Sequence, residues 1–376
     1  MKNLFFYGTL RHLPLLEIVM GNSGTALDVT ADQLTGYRVS AVAEGPFPMI
    51  APDPGASAQG ILVRGLTDQE IARLDFYEGS FAYDLRKVTL DSGTQAEVYV
   101  PQPDLWTPDG PWSLHEWEQG PGAISVIAAR EVMGYFGSRS REEVAGMFDM
   151  IRTRAASELR AGASLHGKDS FHGAIEVQSR KRVYANFFAL DEIELRHERY
   201  DGTLSAPLER AVFIPADAAL VLPYDPKRDL VLLVEQIRLG PIGRGDPTCW
   251  QSEPIAGRVD PGETPQQAAH REAKEEAGLT LERLETIVEG YPSPGTSSEF
   301  FYIYLGITEL PDSITGIGGL DTEDENIRAH LVSFDDLMAR VARQDVANVP
   351  LALCAYYLAR HRERLRSDST KGTPRG

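Results

Sequence analysis

Gly257-Arg258-Val259-Asp260-Pro261-Gly262-Glu263, seven residues, then Arg271-Glu272-Ala273-Lys274-Glu275-Glu276-Ala277-Gly278-Leu279 is the passage around which the rest of the chain is placed. A helix is expected from about Thr264 to Ala277, with Gly278 as its C-cap. On that helix Glu272, Glu275 and Glu276 stand at offsets of three and four and share one face. Carboxylates so close repel one another unless a cation compensates them, and hard oxygen ligands suit Mg²⁺ or Mn²⁺. Arg271 and Glu263 can brace the cluster by pairing, and the turn at Gly257 lets backbone carbonyls such as that of Ala256 face the same ion. Three glutamates alone also read as a solvated acidic helix face.

The remainder bounds what such a site could serve. The chain has 376 residues, which favours two domains, and its 42 % hydrophobic and 24 % charged residues are those of an ordinary globular protein. Lys plus Arg number 37 against 55 Asp plus Glu, and the net charge of −18 repels a phosphate backbone, so nucleic acid is not expected as a partner. No apolar run is long enough for a membrane span and the amino terminus turns too early for a signal peptide, so a cytoplasmic location is expected. Cys249 and Cys354 are too few and too far apart for a disulfide framework or a zinc site, and are expected as buried thiols. The eight histidines show no metal-ligand or triad spacing, and there is no P-loop, dinucleotide fingerprint or internal repeat.

Hydrophobic patterning predicts a mixed α+β chain. Residues 1–105 alternate short strand-like runs (Leu4 to Tyr7, Gly60 to Val63, Val88 to Leu90, Ala96 to Val100) with one helical stretch from Thr67 to Asp75, as a small mixed barrel or sheet. The passage Pro101 to Trp112, rich in Pro, Gly and Trp, opens a linker and helical connector over 106–166, with Val144, Met147, Phe148 and Ile151 on one buried face. A second domain is expected over 167–366, with strands at Lys181 to Tyr184, Arg210 to Ile214, Ala218 to Leu222 and Leu230 to Gln236, and a last helix from Leu351 to Leu365. A disordered tail is expected over 367–376.

In every fixed position the acidic segment resembles the Nudix box, which implies an α/β/α sandwich and hydrolysis of a nucleoside diphosphate linked to another group, with a metal lowering the pKa of the attacking water. Its flanks, Leu233 to Arg238, Ser293 to Glu299 with Pro294 fifteen residues after Leu279, and Gly319 to Ile327, resemble the ADP-ribose pyrophosphatases. That resemblance implies that Glu272, Glu276 and the Ala256 carbonyl bind Mg²⁺ or Mn²⁺, with Glu275 close behind and Glu325 near the metals. It also implies that Glu323 positions or deprotonates the attacking water, and that Arg238 and Glu299 face the substrate. Tyr184 to Asp191 and Leu208 to Arg210 resemble the strands that such enzymes exchange between subunits, which implies a homodimer in which Phe187 and Arg210 sandwich the adenine. An aromatic in a strand is equally an ordinary core residue. Trp250 and Glu253, just before the box, line the pocket or are merely structural. The loop reads Ser-Pro-Gly-Thr-Ser-Ser-Glu where the family usually has a second Gly, which keeps other sugar nucleotides open as substrates.

The amino-terminal Phe5-Phe6-Tyr7-Gly8-Thr9-Leu10-Arg11 is a strand ending in a turn whose free N–H groups can hold a carboxylate. With Phe47 to Ile50, Gly60 to Val63 and Leu74-Asp75-Phe76-Tyr77-Glu78-Gly79, it resembles the γ-glutamylcyclotransferase-like (AIG2-like) fold over residues 1–105. The resemblance implies a γ-glutamyl compound held at Tyr7, Gly8, Thr9 and Leu10, and Glu78 as the base that frees its α-amine to release 5-oxoproline. Glu78 as a residue capping the helix end, and the domain as a silent binding or oligomerisation module, are the alternatives. Joined to a Nudix domain, the arrangement is similar to bacterial proteins labelled tellurite-resistance factors.

Overall fold

The computed structural model describes the chain except for residues 22–26, 80–82, 164–169, 320–324 and 372–376. It divides into two compact units, Met1–Ser170 and Phe171–Gly376. No helix among the described residues is long and apolar enough to cross a membrane.

The first unit is built on six strands: β1 (Lys2–Phe6), β2 (Asp28–Val42), β3 (Gly45–Leu66), β4 (Tyr83–Thr89), β5 (Gln95–Pro101) and β6 (Pro108–Pro111). They form an open sheet in the order β4-β5-β1-β3-β2-β6, so the expected barrel does not close. β1 is central because Leu4, Phe5 and Phe6 are all buried, and it runs parallel to β5 and antiparallel to β3. Gly60 lets β3 cross β1 closely, since a Cβ there would lie 2.3 Å from the Phe5 ring and 2.5 Å from the Phe6 carbonyl. The long β2–β3 hairpin was not foreseen, because Pro46, Pro48, Pro52 and Pro54 argue against a strand. All four stand at even positions of the half of β3 that β1 does not reach, where a missing N–H breaks no second ladder.

The helices are α1 (Leu13–Met20), α2 (Asp68–Gly79), α3 (Leu114–Gln119), α4 (Gly122–Gly134), α5 (Arg141–Ala145) and α6 (Phe148–Gly162). The stretch expected to connect two domains instead belongs to the first unit. α4 buries Ile124, Ala128, Ala129 and Val132, and packs against α1 and α6. Arg154 of α6 donates to Glu131 of α4 at 2.6 Å, a buried ion pair that also links Glu131 to the Tyr135 hydroxyl. Val144, Met147 and Ile151 are buried as expected while Phe148 is only half-buried, and they do not share one helix: Val144 is on α5, Phe148 and Ile151 are on α6, and Met147 is the N-cap between them.

The second unit opens with an antiparallel sheet, β7 (Ile175–Ala185), β8 (Ala189–His197) and β9 (Leu208–Ile214). A mixed sheet follows, of β10 (Asp217–Asp225), β11 (Leu230–Ile237), β12 (Trp250–Glu253), β13 (Ile255–Arg258), β14 (Arg283–Gly290), β15 (Phe300–Ile307), β16 (Gly316–Gly318) and β17 (Ile327–Ser333). Its order is β14-β15-β10-β11-β17-β16, with β12 on β11 and β13 on β10. Alternation divides its side chains between two cores. Leu220, Leu222, Tyr224, Val231 and Leu233 face one, with α9 (Phe334–Ala342) and α10 (Val349–Lys371). Ala219, Val221, Leu232 and Val234 face the other, with α8 (Pro265–Ala277), while α7 (Leu239–Arg244) buries no residue. The result is the expected α/β/α sandwich. The last helix is longer than expected and runs six residues beyond Leu365, to Lys371. Cys354 is buried, but Cys249 is only half-buried and donates its thiol to the Asp246 carbonyl.

Candidate active site

The acidic helix is α8, and its local design explains its bounds. The Thr264 hydroxyl accepts from the Gln267 N–H while the Gln267 side chain accepts from the Thr264 N–H, Pro265 occupies the first turn, and Gly278 closes the helix at φ +62°. Ala268, Ala269 and Ala273 are small enough to bring the helix down on the sheet. Glu272 and Glu276 flank that alanine face and are therefore drawn into the protein rather than into solvent. The solvated-face reading fails here, since Glu276 is 2 % exposed.

Arg271 organises the carboxylates around it. Its guanidinium donates to Glu272 at 2.6 Å, Glu263 at 2.8 Å, Glu275 at 2.9 Å and the Arg258 carbonyl at 2.9 Å. Glu263 in turn accepts from the Asp260 N–H at 2.7 Å, which ties the Pro261-Gly262 turn to the helix. Gly257 on β13 makes room for this set: a Cβ there would lie 1.8 Å from Glu272 Oε1. Burial pushes the Glu272 carboxyl up to about 7, and Glu275 and Glu325 add to the rise against the pull of Arg271. Burial raises Glu276 to about 9, reinforced by Glu272, Glu325 and Glu253.

Glu276 Oε2 is buried and has no hydrogen-bond partner among the described residues. A buried carboxylate oxygen left unpaired beside further carboxylates is costly unless a cation or proton meets it. The donor set is all oxygen, as a hard divalent cation requires. Among the described residues no three acidic, His or Cys side chains already converge on one point, and Arg271 holds Glu272 and Glu275 to itself. Ala256 lies on β13 opposite Leu220, next to Gly257. Gly318 and Gly319 run over the end of α8, where a Cβ on Gly318 would meet the Glu276 carbonyl and one on Gly319 would meet Glu325. Glu323 lies outside the described residues.

A second group lies beside the acidic one. Arg238 donates to Glu253 at 2.8 Å and 2.7 Å, and Asn348, just before α10, donates to the other oxygen of Glu253 at 3.2 Å. Glu253 is therefore a buried anchor for Arg238, whereas Trp250 is 62 % exposed. Burial also raises the Glu299 carboxyl, against the pull of Arg238 and Arg258. The loop carrying Glu299 is fixed to the end of β9 by Phe213 N–H to Thr296 O and Ser298 N–H to Phe213 O, each 2.9 Å.

Phe187, in the turn between β7 and β8, is 49 % exposed, so the reading as a core aromatic is set aside. Its ring lies under the Arg258 guanidinium at 3.9 Å, a cation–π contact. Arg210 does not meet it within one protomer. The register sets Arg210 opposite Ile193, four positions along β8 from Ala189, and its guanidinium turns back to the Glu209 carbonyl. Arg258 and Asn348 were not singled out from sequence. Arg258 stands inside the box and could have been suspected, whereas Asn348 carries no signal of its own.

The residues of the first unit also converge. Tyr7, Gly8, Thr9, Leu10, Tyr77, Glu78 and Tyr83 line a cavity of about 80 Å³. Thr9 to Arg11 form a single 3₁₀ turn, whose leading N–H groups have no acceptor within the turn. Tyr83 donates to the Pro48 carbonyl at 3.1 Å. Burial alone lifts the Glu78 carboxyl to about 7, so it is not a solvent-facing cap.

These geometries match two known families. The NUDIX domain matches residues 214–351, and "Gamma-glutamyl cyclotransferase, AIG2-like" matches residues 4–118. ADP-ribose pyrophosphatase of Escherichia coli K12 is 34 % identical over 194 residues, covering 52 % of this chain and 92 % of its own. The chain belongs to the Nudix family. ADP-ribose pyrophosphatase of Haemophilus influenzae is 36 % identical over 162 residues (42 % and 73 %), and GDP-mannose pyrophosphatase of Cronobacter sakazakii is 29 % identical over 184 (49 % and 94 %). The protein is thus a Nudix hydrolase related to ADP-ribose and GDP-mannose pyrophosphatases, with an AIG2-like amino-terminal domain.

Proposed function

We propose that the second unit hydrolyses ADP-ribose to AMP and ribose 5-phosphate in a Mg²⁺-dependent reaction. The observation that carries this is the unpartnered, buried Glu276 oxygen, one helical turn from Glu272, whose own carboxylate lies against Gly257 of the box. Glu272, Glu276, Glu325 and the Ala256 carbonyl would hold Mg²⁺ or Mn²⁺, which when bound neutralises pyrophosphate charge and acidifies water. Glu275 stays on Arg271 and keeps the cluster in place. Arg238, aligned by Glu253, pairs with the diphosphate, and Glu299 hydrogen-bonds the sugar side of the substrate. Glu323 takes the proton of the attacking water. Phe187, held under Arg258, stacks on the adenine.

The β7–β9 sheet leaves Ile175, Val177 and Tyr184 more than half exposed, an apolar surface suited to a second copy of the chain. A homodimer would also let Arg210 of the partner reach an adenine that its own protomer does not bring to it. Light scattering of the purified protein tests this: a dimer is expected, and a monomer removes the composite site.

A second reading, γ-glutamyl cyclotransferase activity in the first unit, is favoured by Glu78 in its cavity beside the Gly8–Leu10 amides. Release of 5-oxoproline that vanishes in Glu78→Gln would support it, and none from wild type would leave that domain a silent module. For the Nudix unit, kcat/KM is to be compared for ADP-ribose and GDP-mannose after stripping and restoring Mg²⁺. A preference for ADP-ribose is expected, and a preference for GDP-mannose would reassign the substrate while keeping the chemistry.

A further inference from the structure

The cavity of the first unit is closed on one side by residues beyond the cyclotransferase match, which ends at residue 118. They are Ser125 and Ala128 of α4, and Phe148 and Arg152 of α6, spaced three and four residues apart so that each helix turns one face to the cavity. Arg152 is the cation among the described lining residues. Its guanidinium makes no hydrogen bond or ion pair among the described residues, and Asp149 and Tyr77 act on it only through space. Arg154 and Arg73 of this unit, which also leave solvent, are provided for, donating to Glu131 at 2.6 Å and to the Val19 carbonyl at 2.7 Å, whereas Arg11, which is not among the cavity residues, keeps a buried Nε with no partner among the described residues.

A guanidinium partly removed from water with no acceptor is an unfavourable arrangement that a bound anion would relieve. The 3₁₀ amides at Gly8 to Leu10 offer a place for one carboxylate, and the Glu78 carboxyl one for an amine. Aromatic side chains, Tyr77, Trp117 and Phe148 among them, line the cavity with these groups. A glutamyl head would use the amides and Glu78, which leaves Arg152 for whatever is joined to that head.

We propose that Arg152 binds a carboxylate on the group linked to the γ-carbonyl, so that this cavity takes γ-glutamyl amino acids in preference to γ-glutamyl amines. The proposal rests on the γ-glutamyl reading given above and adds a specificity-determining residue supplied by the appended helices. The step is binding only. An amine-linked ligand without a carboxylate leaves Arg152 as unpaired as it is in the free protein.

The test is calorimetric binding of γ-glutamylalanine and γ-glutamylethylamide to the full chain, with kcat/KM in its place if 5-oxoproline is released. The two ligands differ by one carboxylate. Wild type is expected to favour γ-glutamylalanine by about tenfold to a hundredfold, the range for a charge-assisted pair in a partly desolvated site. Arg152→Gln should abolish that preference while holding γ-glutamylethylamide within about twofold, which also reports that the cavity is folded. Arg152→Lys should keep part of it, since it retains a charge without the planar fork. Equal affinities in wild type, or a preference that persists in Arg152→Gln, overturn the role of Arg152 and leave the γ-glutamyl reading intact. Failure of wild type to bind either ligand at millimolar concentration overturns both.

Discussion

Gly257→Ala separates what the fold requires of β13 from what the acidic site requires. A methyl built at Gly257 lies 1.8 Å from Glu272 Oε1, 2.0 Å from Cδ and 2.5 Å from Oε2. Ordinary contact is about 3.5 Å, so the carboxylate must retreat by roughly 1.5 Å. Gly257 is not among the glycines at positive φ, so its backbone accepts alanine. The clashing atoms are the end of a flexible side chain, and moving them off their preferred rotamer costs about 1 kcal/mol. In a unit of this size that lowers Tm by about 2–4 °C. The same displacement pulls Glu272 away from Arg271 and from Glu276, and a misplacement near 1 Å in a reacting constellation costs about a hundredfold in rate. The assay is ADP-ribose turnover against Mg²⁺ concentration, beside thermal melting. A hundredfold lower kcat with a near-native Tm is expected. Turnover within threefold of wild type at every Mg²⁺ concentration would refute the argument, and so would loss of activity accompanied by a fall in Tm of more than about 10 °C.

Two further perturbations probe the charged groups. Because burial raises Glu78 from 4.5 to about 7, the folded first unit keeps a proton that the unfolded chain releases, so its stability should fall as pH rises from about 4.5 to 7. The full effect is roughly 3 kcal/mol, and Glu78→Gln should flatten it in urea melts followed by tryptophan emission; an unchanged slope contradicts a Glu78 that stays protonated in the fold. Arg271→Ala leaves Glu263, Glu272 and Glu275 without their shared cation and should destabilise the second unit by about 2–4 kcal/mol, partly recovered by millimolar Mg²⁺. A loss below 0.5 kcal/mol in denaturant titration would show that Arg271 does not organise the cluster.

The helix that carries the acidic site was legible because every determinant of it is local: the spacing of three glutamates, the Pro after Thr264 and the Gly after Ala277. The two cores of the second unit follow from alternation in Ala218 to Leu222 and Leu230 to Gln236, and those strands stand where they were expected. The β2–β3 hairpin was not legible, since its prolines count against a strand until one sees that half of β3 has a free edge. Nor does local pattern show what an amphipathic helix packs on, and α3 to α6 read as a connector because α1, on which α4 packs, lies a hundred residues earlier. Side-chain pairings across elements were hardest. Arg258 over Phe187, Asn348 on Glu253 and Arg152 in the cavity depend on folded proximity, and Arg210 shares the protomer of Phe187 without approaching it.

Phosphorus NMR of the full chain with ADP-ribose and Mg²⁺, beside Glu276→Gln, tests the central claim most directly. The account predicts AMP and ribose 5-phosphate from wild type and at least a hundredfold slower appearance of both from the variant. An ADP-ribose signal that persists in wild type with Mg²⁺ or Mn²⁺ present, or a Glu276→Gln protein that hydrolyses it at the wild-type rate, would contradict it.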